Sequence, residues 1–398
     1  MFEVLAIYLG CVILHIILPG KDLFEYSFCL IGVYIVSLSG KIITGYVCDQ
    51  KQNVLTYKLN GFVMWYISCI LFLLCPTKYQ TSLAENYLSN LGEACIIGLT
   101  VAVFFYVRGG NEKYVRCLTV DQVLSKKEPA LAKQAPSAIT TFFLGCEWNP
   151  RIFGIDVKMI LYAIGAIMLQ LNVLSFWAYD KFHRNGNSSN AMIAYLVMFS
   201  WFIAEYMYFE NVHLYTYDLF AEKIGFKLCW GCLFFYPFFY CIGGTVISWL
   251  HFEKDLPFSL FVISILFHTA GWVVTRGANL QKYYFRVNPK LKLFSFGLFV
   301  VTQECVPGTH LLCSGWWGVA KHFNYFGEIL QGFAVSLPCV YIAGFSEYSL
   351  VALAYPLYYC ILFVTRQIDD DGVCKIKYGD KWDEYCKIVK YRIIPGIY

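Results

Sequence analysis

Residues 157–178 read VKMILYAIGAIMLQLNVLSFWA, an apolar run long enough to cross a bilayer, which takes about 20 such residues. Comparable runs fall at Val4–Leu18, Tyr26–Tyr46, Gly61–Cys75, Leu91–Val107, Ala191–Phe209, Phe226–Ser248, Leu256–Thr275, Phe326–Gly344 and Tyr348–Thr365. The expectation is an all-α polytopic membrane protein of about ten transmembrane helices, folded as one integral membrane domain over residues 1–398. Composition agrees: 58% of residues are hydrophobic, 19% aromatic and only 15% charged, far from a soluble globular protein.

Cysteines such as Cys69, Cys75, Cys95, Cys241 and Cys360 stand singly inside apolar runs, where a thiol is a small hydrophobe rather than half of a disulfide. Met1 to Pro19 lacks a basic start and a small-residue cleavage site, so the first run is expected to remain as a helix. With alternating helices, most Lys and Arg residues gather in the termini and in loops 47–60, 108–156, 210–225 and 276–325, which places both termini in the cytosol. The sequon Asn187-Ser188-Ser189 lies in a short loop on the other side and is not read as glycosylated. The stretch KKEPALAKQAP (126–136) reads as a mobile linker.

No GxGxxG, Walker loop, HExxH or paired CxxC set is present, which argues against a Rossmann domain or a zinc site, and no metal is expected. CWGC at Cys229–Cys232 has redox spacing without a thioredoxin-like context and reads as packing. Lys282 and Arg286, four apart, suit a two-cation phosphate clamp, although spacing alone favours a juxtamembrane basic stop or an anionic-lipid contact. Arg366 and Asp370 repeat that spacing in the last 33 residues, RQIDDDGVCKIKYGDKWDEYCKIVKYRIIPGIY. A surface salt bridge would explain them, but Tyr378, Tyr385, Tyr391 and Arg392 follow closely enough to frame a pocket for a flat anion. In SGWWGVAKHFNYFGEI (314–329), interfacial anchoring accounts for the Trp residues but not for His322, Asn324 and Glu328. Glu205, Glu210, His213 and Asp218 gather around the end of the sixth run, where charge is costly. Tyr240, deep in FFYPFFYCIGG, is either a core phenol or a proton donor in an apolar cavity.

Together LTYKLNGF (55–62), FLGCEWNPRIFGIDVK (143–158), RGANLQKYYFRVNP (276–289), LLCSGWWGVAKHFNYFGEI (311–329) and KYGDKWDEYCKIVKYRIIPGIY (377–398) resemble the sterol reductase family. That family includes C14- and C7-sterol reductases and the reductase-like domain of the lamin B receptor. The resemblance implies a ten-helix enzyme of the endoplasmic reticulum membrane that uses NADPH to saturate a sterol ring double bond. It implies a cytosolic-side NADPH pocket within residues 276–398, with Lys282, Arg286, Leu312, Trp317, Asn324, Arg366, Asp370, Tyr378 and Tyr385 as cofactor residues. Tyr240 matches the tyrosine expected to give or relay a proton, with Glu210 or Asp218 behind it.

The chain departs from the family pattern at Cys232, where many members have Asp, at Tyr162-Ala163 in place of Arg-Pro, and at Asp369-Asp370-Asp371 in place of Arg-Asp-Glu. CWGC, HFNY, EIL, DDD and VKYRIIPGIY look most like C7-sterol reductases, whereas RGANxQK and FRxNP look like C14-sterol reductases; the longer C7-like set leads. The expected partners are a sterol and membrane lipid, not nucleic acid. A non-catalytic sterol-binding protein is the alternative, favoured by the altered positions and opposed by the retained charges. A transporter would show inverted repeats, and none is found.

Overall fold

The computed structural model describes residues 40–49, 52–109, 118–120, 137–152, 154–216, 219, 222–250, 254–288, 293–296 and 299–398. The first apolar run, the 126–136 linker and Asp218 lie outside them. The described residues form two compact units, those within 1–186 together with Phe199–Cys241, and Asn187–Met198 together with those within 242–398. Among the described residues, seven helices are long and apolar enough to cross a membrane, or eight if one bent pair counts as a span. The protein is an all-α polytopic membrane protein.

In the first unit, β1 (Lys41–Cys48) and β2 (Val54–Leu59) form an antiparallel hairpin, with β3 (Leu118–Thr119) on the other edge of β1. The expected span Tyr26–Tyr46 therefore cannot continue past Gly40 as a helix. Ile42, Ile43, Thr44 and Val47 favour the pleated conformation, and a hydropathy window cannot distinguish that from a helical run. The expected span Gly61–Cys75 becomes α1 (Gly61–Leu74), broken by 111° from α2 (Thr77–Glu85). Pro76 sits at the break; the Phe72 carbonyl accepts the Cys75 amide at 3.1 Å, and the Gln80 side-chain amide donates to the Phe72 and Leu73 carbonyls at 3.1 and 3.2 Å.

Next come α3 (Tyr87–Arg108), α4 (Ala138–Leu144), the short pair β4 (Arg151–Ile152) and β5 (Ile155–Asp156), and α5 (Val157–His183). Helix α5 is apolar nearly all round and correspondingly buried on most of its surface. Asp156 caps its start by accepting from the Met159 amide, and Asn185 in the left-handed region ends it, with Gly186 N–H returned to the Lys181 carbonyl. Its polar side chains reach neighbours: Gln170 bonds Trp65 and Ser200, Asn172 the Pro237 carbonyl, and Ser175 the Gln80 carbonyl. The unit is completed by part of α6 (Asn190–Tyr208), α7 (Glu210–His213), α8 (Phe226–Trp230) and a π-helical stretch Gly231–Phe239. Cys229 and Cys232 are buried and form no disulfide; a Cβ on Gly165 of α5 would meet the Cys232 carbonyl at 2.4 Å. The CWGC motif is a packing surface.

The second unit holds α9 (Gly243–Leu250), α10 (Phe258–Val287), the hairpin β6 (Leu293–Ser295) and β7 (Phe299–Val301), and α11 (Trp316–Val319). Then follow α12 (Phe323–Ala343), α13 (Glu347–Tyr378) and α14 (Asp380–Ile388). Helices α10 and α12 run antiparallel in close contact. A Cβ on Gly271 would meet the Gly327 carbonyl at 2.7 Å, and one on Gly327 would meet Thr275 Oγ1 at 2.3 Å. Small residues at such a crossing let backbones touch, which replaces the hydrophobic drive that lipid removes. Pro356 cannot donate to the Ala352 carbonyl one turn earlier in α13; Ser336 of α12 donates to it instead, at 2.7 Å. At about 1.5 Å per residue, α10 and α13 are some 45 to 48 Å long, well beyond an apolar core of about 30 Å. Their charged residues gather in the C-terminal turns, Lys282 and Arg286 in α10 and Arg366 to Lys377 in α13.

Gly327→Val is expected to force the two helices apart and abolish cooperative thermal unfolding of the purified protein. Ser336→Ala, which removes one hydrogen bond, should cost about 1 kcal/mol and leave unfolding cooperative.

Candidate functional site

The charged C-terminal ends of α10 and α13 meet the start of α12, and there most of the residues singled out from sequence converge. Lys282 and Arg286 lie on α10, Arg366 and Asp370 on α13; Lys282 feels the fields of Arg286, Asp370 and Arg366. Tyr325 donates to Asp370 Oδ2 at 3.4 Å and is stacked between His322 and Phe363, with centroids 4.8 and 4.5 Å away. Asn324 Nδ2 donates to Asn279 Oδ1 at 3.2 Å, while Asn324 Oδ1 is buried without a hydrogen-bond partner among the described residues. Lys282 Nζ lies 4.8 Å from the Trp317 ring centroid, a cation–π contact.

Leu312 and Trp317 join Ala278 and Phe285 in one apolar cluster beside these charges. Tyr385 belongs to an adjoining cluster with Val306, Trp382 and Val389, against which Tyr378 packs. Burial, with the nearby thiols, pushes the Tyr385 phenol well above its ordinary range, so it acts here as a neutral hydroxyl.

The acidic run is divided by helical geometry. Asp369 is exposed, Asp370 faces Tyr325, and Asp371 pairs with Arg392 Nε at 3.5 Å. The tail folds back on the site: Lys321 and His322 amides donate to the Tyr391 and Arg392 carbonyls, and the Tyr398 hydroxyl donates to buried Gln367 at 3.0 Å. His322 Nδ1 approaches Asp370 at 4.0 Å, yet burial and the charges of Lys282, Lys321 and Arg366 push the imidazole down to about 3. It is neutral at physiological pH, and the contact is not an ion pair. Sequence reasoning left out Asn279, Gln281 and Tyr325 as site residues; the polar positions of RGANLQK on a buried helix face were the available signal.

In the first unit, Glu210 Oε2 accepts the Gly61 amide at 2.6 Å, so this carboxyl caps α1 from a distant part of the chain. Tyr240 packs edge-on against Tyr236 and Phe235, with centroids 5.1 and 6.1 Å away. Glu210's hydrogen bond is made to Gly61 and not to Tyr240. His213 stacks on Tyr206 at 3.7 Å and Tyr162 on the same ring at 6.0 Å, so the departure at Tyr162 is filled by aromatic packing.

A half-buried cluster of cations around one carboxylate, with a buried orphaned amide oxygen on Asn324, could hold a dinucleotide: cations for phosphates, the Asn324 oxygen for an amide or hydroxyl donor. Residues 10–398 match the "Ergosterol biosynthesis ERG4/ERG24 family". A Delta(14)-sterol reductase of Arabidopsis thaliana is 30% identical over 97% of this chain and 98% of its own length. Another, from Ascobolus immersus, is 33% identical over 94% of this chain and 84% of its own. A protein of Acanthamoeba polyphaga mimivirus named "Probable 7-dehydrocholesterol reductase" is 28% identical over 90% and 76%.

Burial raises Glu210 from its ordinary value to about 7. A raised value means the folded state holds the proton more tightly than the unfolded chain. The stabilising contribution is complete at acidic pH and is lost as pH rises through about 7. Melting temperature should therefore fall between pH 5 and pH 8 by a margin that Glu210→Gln, which cannot ionise, does not share.

Proposed function

The chain belongs to the ERG4/ERG24 sterol reductase family, and from that premise we propose that it reduces the C14–C15 double bond of a sterol with NADPH, in the endoplasmic reticulum membrane. The observation that carries the cofactor is the cluster of Lys282, Arg286 and Arg366 around Asp370 and Asn324. Lys282, Arg286 and Arg366 would hold the phosphates, Asn324 a polar edge, and Leu312 and Trp317 an apolar face. When bound, the cofactor supplies a hydride.

An isolated alkene accepts hydride only after it becomes electrophilic. Tyr240 is proposed to deliver a proton to one alkene carbon, leaving the cation on the more substituted one, where hydride completes the reduction. Exclusion of water protects that cation. Glu210, occupied as a helix cap, is left out of the proton path.

The C7-like motifs pointed the sequence reading to C7 reduction, and the names of the relatives support C14 instead. The reason lies in where those motifs sit. VKYRIIPGIY and HFNY pack on one another at the cofactor end, through Lys321 and His322 amides bonded to Tyr391 and Arg392 carbonyls. That end serves both reductions and need not differ between them.

Expression in hosts lacking either C14 or C7 reduction, followed by mass analysis, is the direct test. Δ14 sterols should disappear from the first host; loss of 7-dehydro sterols from the second, with Δ14 sterols persisting in the first, would reverse the assignment. Lys282→Ala should raise the KM for NADPH about tenfold or more, the value of one charge-assisted contact, with a much smaller change for the sterol. Tyr240→Phe should keep NADPH binding and lose turnover; normal turnover would remove Tyr240 from the mechanism.

A further inference from the structure

Gln281 is fully buried on α10, one residue before Lys282, and its carboxamide makes four hydrogen bonds. Nε2 donates to the Thr302 and Ser314 carbonyls at 2.9 and 3.0 Å, and Oε1 accepts the Trp316 and Trp317 amides at 2.9 and 3.4 Å. Both N–H groups and both lone pairs are used. All four partners belong to one segment, 302–317, in which α11 is only a single turn. We propose that Gln281 is the positioning residue of the cofactor site: it fixes the 302–317 segment so that the Trp317 ring and the Lys282 ammonium meet at a set place. The inference rests on the cofactor reading above.

Three features make that placement specific. Gly315 is in the left-handed region (φ 61°), and a Cβ there would come within 2.6 Å of Gln281 Nε2 and 2.3 Å of Val301 Cγ1. A Cβ on Gly277 would overlap the Trp316 ring at 2.5 Å, so the segment lies directly on α10. Trp317 Nε1 then donates to the Ala278 carbonyl at 2.8 Å, which orients the indole under Lys282. A leucine at 281 would fill similar space but remove the acceptor of the Trp316 and Trp317 amides and one of the two donors to each of the Thr302 and Ser314 carbonyls, which would keep only Ser314 Oγ and the Gly318 amide, and the segment would be free to shift. A glutamate would keep the acceptor half and lose the donor half.

The test uses purified full-length protein, measuring NADPH dissociation constants together with kcat and both KM values. Gln281→Leu should weaken NADPH about tenfold or more while the sterol KM and kcat change less than about threefold. Gln281→Glu should fall between Gln281→Leu and wild type. In a double-mutant cycle, Gln281→Leu with Trp317→Leu should bind NADPH no more weakly than the worse single variant, because one acts through the other. NADPH affinity within about twofold of wild type for Gln281→Leu, additive effects in the cycle, or loss of fold in both Gln281 variants would overturn the assignment. Wild-type protein that fails to bind NADPH would instead overturn the cofactor reading itself.

Discussion

The close crossing of α10 and α12 at Gly271 and Gly327 is the constraint on which the polar end of the second unit depends. Because the helices are antiparallel, backbone contact there brings the end of α10 beside the start of α12. The contact is held by van der Waals packing and by Thr275 donating to the Asn324 carbonyl, not by hydrophobic transfer, which lipid cannot supply. A larger side chain at either glycine would separate Lys282 from Asn324 without touching either.

Once assembled, the site is electrostatically one-sided. Lys282, Arg286, Arg366 and Lys321 outnumber the inward-facing Asp370, and His322 stays neutral among them. Such a cluster is costly in a half-buried setting unless an anion completes it. The tail contributes by covering the cluster: Asp371 engages Arg392, and the Tyr391 and Arg392 carbonyls cap the turn that presents His322. Charge and packing in the last residues are thereby parts of one arrangement.

Much of the fold was legible because hydropathy over a long window is a local property. Seven of the expected runs appear as long membrane helices, several with extended ends. The misreading at 41–46 arose where a strand-forming sequence adjoined an apolar run, while the expected span at Gly61 ends where expected and is followed by a bend at Pro76 into α2. In the site, paired charges at four-residue spacing were visible, since a helix alone puts them on one face. Gln281 was not, because a glutamine in a helix has no signature until its four partners, 21 to 36 residues away, are known.

By itself the sequence determined the membrane class, the approximate helices, the family and the set of charges that could bind a dinucleotide. Each of these follows from composition, periodicity or motif, none of which requires knowing what packs where. Tertiary structure decided which aspartate of three faces inward, that Glu210 caps a helix at Gly61, and that the tail packs on the turn holding Lys321 and His322. Those outcomes depend on burial and on contacts between distant segments, and hydrogen-bond partners in a low-dielectric interior are chosen by proximity in space rather than along the chain.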